Sequence, residues 1–164
     1  MLDNGHTPET TWPADTRSIV CRGIRGAITV EENSREAILA ATRQLLIVII
    51  RLNRIAPEDV ASAFFTTTVD LNTEYPAVAA RQLGWHEVPL LCAHEMNVPQ
   101  GLKQVVRVLV NWNTRKSQQE VHHVYLKEAR TLRPERSWEM SELVAELEKE
   151  LTEEEMAELR AAVQ

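Results

Sequence analysis

Arg22-Gly23-Ile24-Arg25-Gly26-Ala27-Ile28-Thr29-Val30, near the start of the chain, is apolar and β-prone yet carries two arginines and two glycines. Val20 and Ile24 lie among residues that favour a buried strand. A strand that takes an arginine into an interior expects an anion there, because an unpaired buried guanidinium is too costly to keep. Glycines beside it let another backbone or a ligand come close. Arginine recurs beside apolar runs at Arg81, Arg107 and Arg133. Together these residues point to a pocket of guanidinium groups for a small molecule with several carboxylates.

The chain around that strand has 164 residues, one domain by length and enough to bury a core. Its 44% apolar and 26% charged residues are the balance of an ordinary globular domain. A net charge of −6 argues against nucleic acid and anionic membranes as partners, so the arginines act locally and not as a basic face. Cys21 and Cys92 are too few and too scattered for a disulfide framework or a zinc site, and read as free thiols of a reducing compartment. Residues 1–17 are polar, hold Pro8 and Pro13, and read as a flexible arm with no signal peptide. The most apolar run, Leu45–Ile50, is far too short to span a bilayer. A cytoplasmic protein is expected.

Ser18 to Ile24 reads as the first strand. Asn33 reads as the cap of a helix, with Glu36 placed to reach back to its amide. That helix runs to about Asn53, stops before Pro57, and carries Ile38, Leu45, Leu46, Ile49 and Leu52 as a stripe. Val48 and Ile50 widen the stripe, which suggests burial on two sides. Val60–Thr68, Val88–Ala93 and Val105–Trp112 read as further strands, and Tyr75-Pro76 opens a short helix that ends at Gly84. A turn of helix follows at Ser117–Glu120, then an extended piece at Val124-Tyr125-Leu126. Alternating strands and helices give an α/β (α+β) domain with a mixed sheet over 18–136. Residues 137–164 are glutamate-rich, with Leu143, Leu147 and Leu151 at helical spacing and a capping box at Thr152–Glu155, and read as an acidic helical extension.

The motifs then line up with a known family. The run Arg22 to Glu31 resembles the opening of the monofunctional, Bacillus-type chorismate mutases. Tyr75-Pro76-Ala77 with Ala80-Arg81, then Trp85 and Val88-Pro89-Leu90-Leu91-Cys92 with Glu95-Met96, resemble that family's short helix and central strand. Gly101-Leu102 with Val106-Arg107-Val108 resembles the strand bearing its key arginine. His123-Val124-Tyr125-Leu126 and Leu132-Arg133-Pro134 resemble its closing segment. The resemblance runs in order from Ser18 to Pro134.

This resemblance implies a pseudo-α/β-barrel subunit, a homotrimer with sites at subunit interfaces, and conversion of chorismate to prephenate on the route to phenylalanine and tyrosine. It implies no cofactor, no metal and no covalent intermediate. It gives Arg107 the ether oxygen of chorismate, Arg25 a carboxylate with help from Tyr125, and Glu95 and Cys92 the ring hydroxyl. It brings Tyr75, Ala77, Arg81, Leu90 and Leu91 from the adjacent subunit, and has Leu132 and Arg133 close over the site.

Plainer roles stand beside these. Arg107 pairs with Glu95 in a buried salt bridge, Cys92 is a small buried hydrophobe, and Tyr125 is a core residue. Arg133 faces solvent. His122 and His123 point in different directions and make poor joint metal ligands; His86 and His94 lack partners at zinc spacing. Trp85 and Trp112 pack. Two other functions fit an anion pocket: a trimeric dicarboxylate-binding or regulatory protein, and an imine deaminase of similar architecture.

Overall fold

The computed structural model describes residues 17–136 and, alone beyond them, Glu142. Of the arm expected over 1–17 only Arg17 is among the described residues, and of the acidic extension over 137–164 only Glu142.

The opening stretch forms β1 (Val20–Thr29), longer than its apolar start suggests. It ends at Thr29 and not at Ile24, because the ladder to β4 (Val105–Thr114) is unbroken from Val20↔Thr114 to Thr29↔Val105. Arg25 therefore sits in the middle of a central strand. Strand order is β3-β2-β4-β1-β5, with β2 at Val60–Thr67, β3 at Leu90–His94 and β5 at Val124–Leu126. The β1/β4 and β2/β4 pairs are antiparallel; β1/β5 and β2/β3 are parallel. The mixed α+β sheet read from the sequence is what forms.

One face of this sheet is covered by α1 (Arg35–Asn53). Ile24 and Ile28 of β1, Phe65 of β2 and Val106, Val108 and Val110 of β4 meet Ile38, Leu45, Leu46 and Ile49 of the helix in one core. Period-two alternation on the strands and a helical stripe on α1 produce that match. Gly26 makes the close approach possible: a Cβ there would lie 2.6 Å from Cδ1 of Ile49 and 3.1 Å from Leu45 and Val108. Its want of a side chain thus serves the helix, not a ligand.

Ser34, not Asn33, caps α1, its hydroxyl accepting from the Ala37 amide at 3.2 Å. Asn33 is engaged elsewhere: its Oδ1 accepts from the Asn72 amide and the Thr73 hydroxyl. At the other end Asn53 is fully buried. Its amide donates to the Ile49 and His122 carbonyls, and its Oδ1 accepts from the His122 N–H at 2.9 Å. The helix terminus is thereby tied to the chain entering β5. The short helix α2 (Ala77–Gln82) starts after Pro76 and covers the edge at β3.

The opposite face is mostly bare. A 3-10 segment, Lys127–Leu132, folds over one end of it. There Ala27, Val105, Tyr125 and Ala129 form a second, small core with Leu102 and Leu132. Beyond it Leu91, Phe64 and Leu109 stand side by side on β3, β2 and β4 and are 62%, 42% and 40% exposed. That apolar row ends at Arg25, the partner of Leu109 on β1. A contiguous apolar row on a sheet face marks a surface built to be covered. Among the described residues no helix is long and apolar enough to cross a membrane.

Candidate active site

Where the bare face meets the 3-10 segment there is a cavity of about 440 Å³. Its floor is set by strand register. Thr66, Arg107, Ala27 and Tyr125 are successive neighbours across β2, β4, β1 and β5. Side chains at paired positions share a face. The small Ala27 therefore leaves a hollow between the Arg107 guanidinium and the Tyr125 ring. Arg25 rises two residues along β1 on the same face, and Leu132 and Arg133 line the cavity from above. Three guanidinium groups, Arg25, Arg107 and Arg133, face one carboxylate, Glu95. The excess of positive charge suits a dianion, and arginine suits it best, since its planar fork binds carboxylates bidentately and stays ionised.

Glu95 leaves β3 just past its end, its N–H bonded to the Thr67 carbonyl at 2.8 Å. Its Oε2 accepts from the Thr66 hydroxyl at 2.8 Å and lies 3.8 Å from Nε of Arg107. The expected Glu95–Arg107 pair is present but not buried, the side chains being 39% and 31% exposed, and 3.8 Å is an ionic contact too long for a hydrogen bond. Nε of Arg107 is buried with no hydrogen-bond partner among the described residues. A buried donor left unmatched needs an explanation; here the guanidinium is oriented by Glu95 without being used up by it. Arg25 is fixed through its backbone, its N–H donating to Nδ1 of His123 at 3.0 Å. Arg133 reaches Glu135 at 3.4 Å and is 41% exposed at its side chain, so its partly solvent-facing reading and its place in the cavity wall both hold.

The remaining candidates gather elsewhere. Cys92 pairs with Phe65 on the α1 side of the sheet, and lines a cavity of about 330 Å³ with Tyr75 and His94. The resemblance gives Cys92 and Glu95 one ring hydroxyl; within one chain the strand alternation turns Cys92 to the α1 face, away from the first cavity. Burial pushes the Cys92 thiol up, against smaller downward pulls from the Ala77 backbone and the Arg81 charge, so both of these α2 residues belong to its surroundings. Leu90 is half-buried on the Cys92 side, and Leu91 is on the bare face. Tyr75 is 69% exposed at the head of this group. Its loop is anchored by Glu74, which accepts from the Tyr75 N–H at 2.8 Å and from Nε of Arg35 at 2.7 Å.

The candidates thus form two sets on two faces: Arg25, Glu95, Arg107, Tyr125, Leu132 and Arg133 in one, Tyr75, Ala77, Arg81, Leu90 and Cys92 in the other, with Leu91 on the apolar row between. Thr66, Phe64 and Leu109 also line the first cavity and were not singled out from sequence. The signal for them is the pairing register of β2 and β4, which a single strand pattern does not contain. Among the described residues no three His, Cys, Asp or Glu side chains group as metal ligands.

A family model described as chorismate mutase type I matches residues 21–136. A chorismate mutase of Thermus thermophilus is 55% identical over 115 residues, covering 70% of this chain and 94% of its own length. One from Bacillus subtilis (strain 168) is 45% identical over 120 residues, 73% of this chain and 94% of that protein. The solved structure of a chorismate mutase from Clostridium thermocellum matches with a TM-score of 0.66 at 39% identity, over 67% of this chain and 98% of that one.

Proposed function

The chain belongs to the type I chorismate mutases, and from that membership we infer that it rearranges chorismate to prephenate in the cavity walled by Arg25, Arg107 and Tyr125. The observation that carries this reading is that Arg25, Arg107 and Tyr125 line one cavity, with Glu95 Oε2 held 3.8 Å from Nε of Arg107.

The rearrangement is pericyclic: one C–C bond forms as the ether C–O bond breaks, within one molecule. It asks for a compact substrate conformer, which is a matter of orientation, and for stabilisation of charge developing on the ether oxygen, which is a matter of fixed electrostatics. A 10⁶-fold acceleration corresponds to about 8 kcal/mol. A cation ~4 Å from a developing oxyanion is worth about 4 kcal/mol at an effective dielectric near 20. Arg107 sets its guanidinium against that oxygen and the neighbouring carboxylate. Arg25 and the Tyr125 hydroxyl grip a carboxylate, Glu95 takes the ring hydroxyl and holds Arg107 in aim, and Leu132 and Arg133 cover the site.

The active unit is a homotrimer. Its support is the bare apolar row Leu91–Phe64–Leu109, which abuts Arg25, together with the division of the candidates into two sets. In the trimer Tyr75, Ala77, Arg81, Leu90, Leu91 and Cys92 of one subunit complete the cavity of the next. Cys92 then reaches the ring hydroxyl from across the interface and not from beside its own Glu95. The catalytic core is 18–136, working in the cytoplasm, with the arm and the acidic extension outside it.

The test is loss of chorismate absorbance with purified protein in the presence of a chelator, with prephenate confirmed by acid conversion to phenylpyruvate. Rapid conversion is expected; a folded protein that leaves chorismate untouched overturns the assignment.

A further inference from the structure

β5 pairs with β1 at only three positions, Gly26↔Val124, Ala27↔Tyr125 and Ile28↔Leu126. One residue earlier, at Arg25, the ladder has ended but the backbone N–H still points to that side. The acceptor it finds is a side chain: Nδ1 of His123, at 3.0 Å. A backbone N–H can only donate, so this Nδ1 is unprotonated and a neutral ring carries its proton on Nε2.

The imidazole is delivered from a rigid support. Asn53, fully buried at the end of α1, holds both the N–H and the carbonyl of His122. The chain is therefore fixed one residue before His123, and Tyr125 follows two residues after it on the cavity floor. The same short segment supplies one cavity residue by its side chain and anchors another by a side chain–backbone bond.

We propose that His123 is a positioning residue for Arg25, its Nδ1 holding the Arg25 backbone at the end of the β5 ladder so that the guanidinium enters the cavity from a fixed origin. His123 touches no substrate itself. The proposal rests on the chorismate mutase reading for its kinetic consequence, but the bond can be read without turnover.

The experiment compares wild type, His123→Leu and His123→Asn, each with Arg25 intact and with Arg25→Ala. The amide oxygen of asparagine sits near the place of Nδ1 and accepts in its stead; leucine fills space and accepts nothing. His123→Leu is expected to raise KM for chorismate up to roughly tenfold while kcat stays within about twofold, the scale of one lost hydrogen bond. His123→Asn is expected to recover most of that loss, and in Arg25→Ala His123→Leu is expected to add nothing. Equal damage from leucine and asparagine, or the same leucine effect without Arg25, overturns the proposal. In the unmodified protein, ¹⁵N spectra of the imidazole and hydrogen exchange at the Arg25 amide are expected to show an accepting Nδ1 and a protected amide. A protonated Nδ1 at neutral pH, or an unprotected amide, overturns it even if the leucine variant does not fold. Wild type that keeps both signatures and yet does not convert chorismate refutes the activity and not the His123–Arg25 bond.

Discussion

The Thr66 hydroxyl donates to the one Glu95 oxygen that also faces Nε of Arg107. That bond decides how far the carboxylate can lean toward the arginine. With it, the pair stays at 3.8 Å and the guanidinium remains available. Thr66→Val, which keeps shape and strand preference, frees Glu95 to close on Arg107 and compete with substrate. Steady-state kinetics are expected to show kcat/KM lowered about tenfold, the scale of one charge-assisted hydrogen bond, with melting temperature little changed.

Arg107→Ala removes the charge opposite the breaking bond. A kcat loss of about 10²–10³-fold or more is expected, as for removal of one preorganised donor. Arg107→Lys keeps the charge but not the fork, and is expected to recover only part of it. Circular dichroism checks that both variants fold; unchanged turnover in the alanine variant would sink the mechanism.

Two variants, each inactive alone, test the shared site. Arg107→Ala damages one set and Arg81→Ala the other. Unfolded together and refolded, they are expected to regain partial activity, because some interfaces then combine an intact Arg107 with an intact Arg81. Light scattering is expected to read a trimer for the wild type and smaller species for Leu91→Glu, which charges the apolar row. An active monomer contradicts the model.

Gly26→Ala is expected to destabilise the core by about 1–3 kcal/mol, the usual effect of an added methyl group in a packed interior. The new Cβ meets Ile49 first, then Leu45 and Val108. Chemical denaturation measures the effect.

Arg17 bonds the Glu120 carboxylate at 2.8 Å, and the Ser117 N–H bonds it at 2.7 Å. The arginine first, then the Ser117 groups, hold its pKa down to about 2. The folded value lies below the ordinary 4.5, so whatever this contact contributes is present above that value and is lost as pH falls from about 4.5 to about 2. Carboxyl NMR is expected to show Glu120 titrating near 2, and higher in Arg17→Ala or at high salt, because the pair is exposed.

Among the described residues each strand and both α-helices were located from sequence, because alternation, the α1 stripe and the Pro76 start are local signals. What it missed was set by distant partners. β1 runs on past Ile24 because β4 is long enough to pair with it, and Asn33 yields the cap to Ser34 because a loop nearly forty residues away engages its side chain. The resemblance named Arg25, Glu95, Arg107 and Tyr125 together, and these four line one cavity. Thr66 and the acceptor role of His123 were not legible, since both depend on which residues the sheet sets side by side. The pairing of Cys92 with Phe65 on the α1 side of the sheet was hidden in the sequence for the same reason.

The order of strands in the sheet also bears on how the protein is made. β1 lies between β4 and β5, the last two of the described strands to leave the ribosome. The first of the described strands therefore has neither edge paired within this sheet until most of the described domain has emerged. In that interval it offers two unpaired edges, the kind of exposure that invites association with other nascent chains. Nascent chains stalled before β4 are the stage at which chaperone capture of this protein is to be looked for.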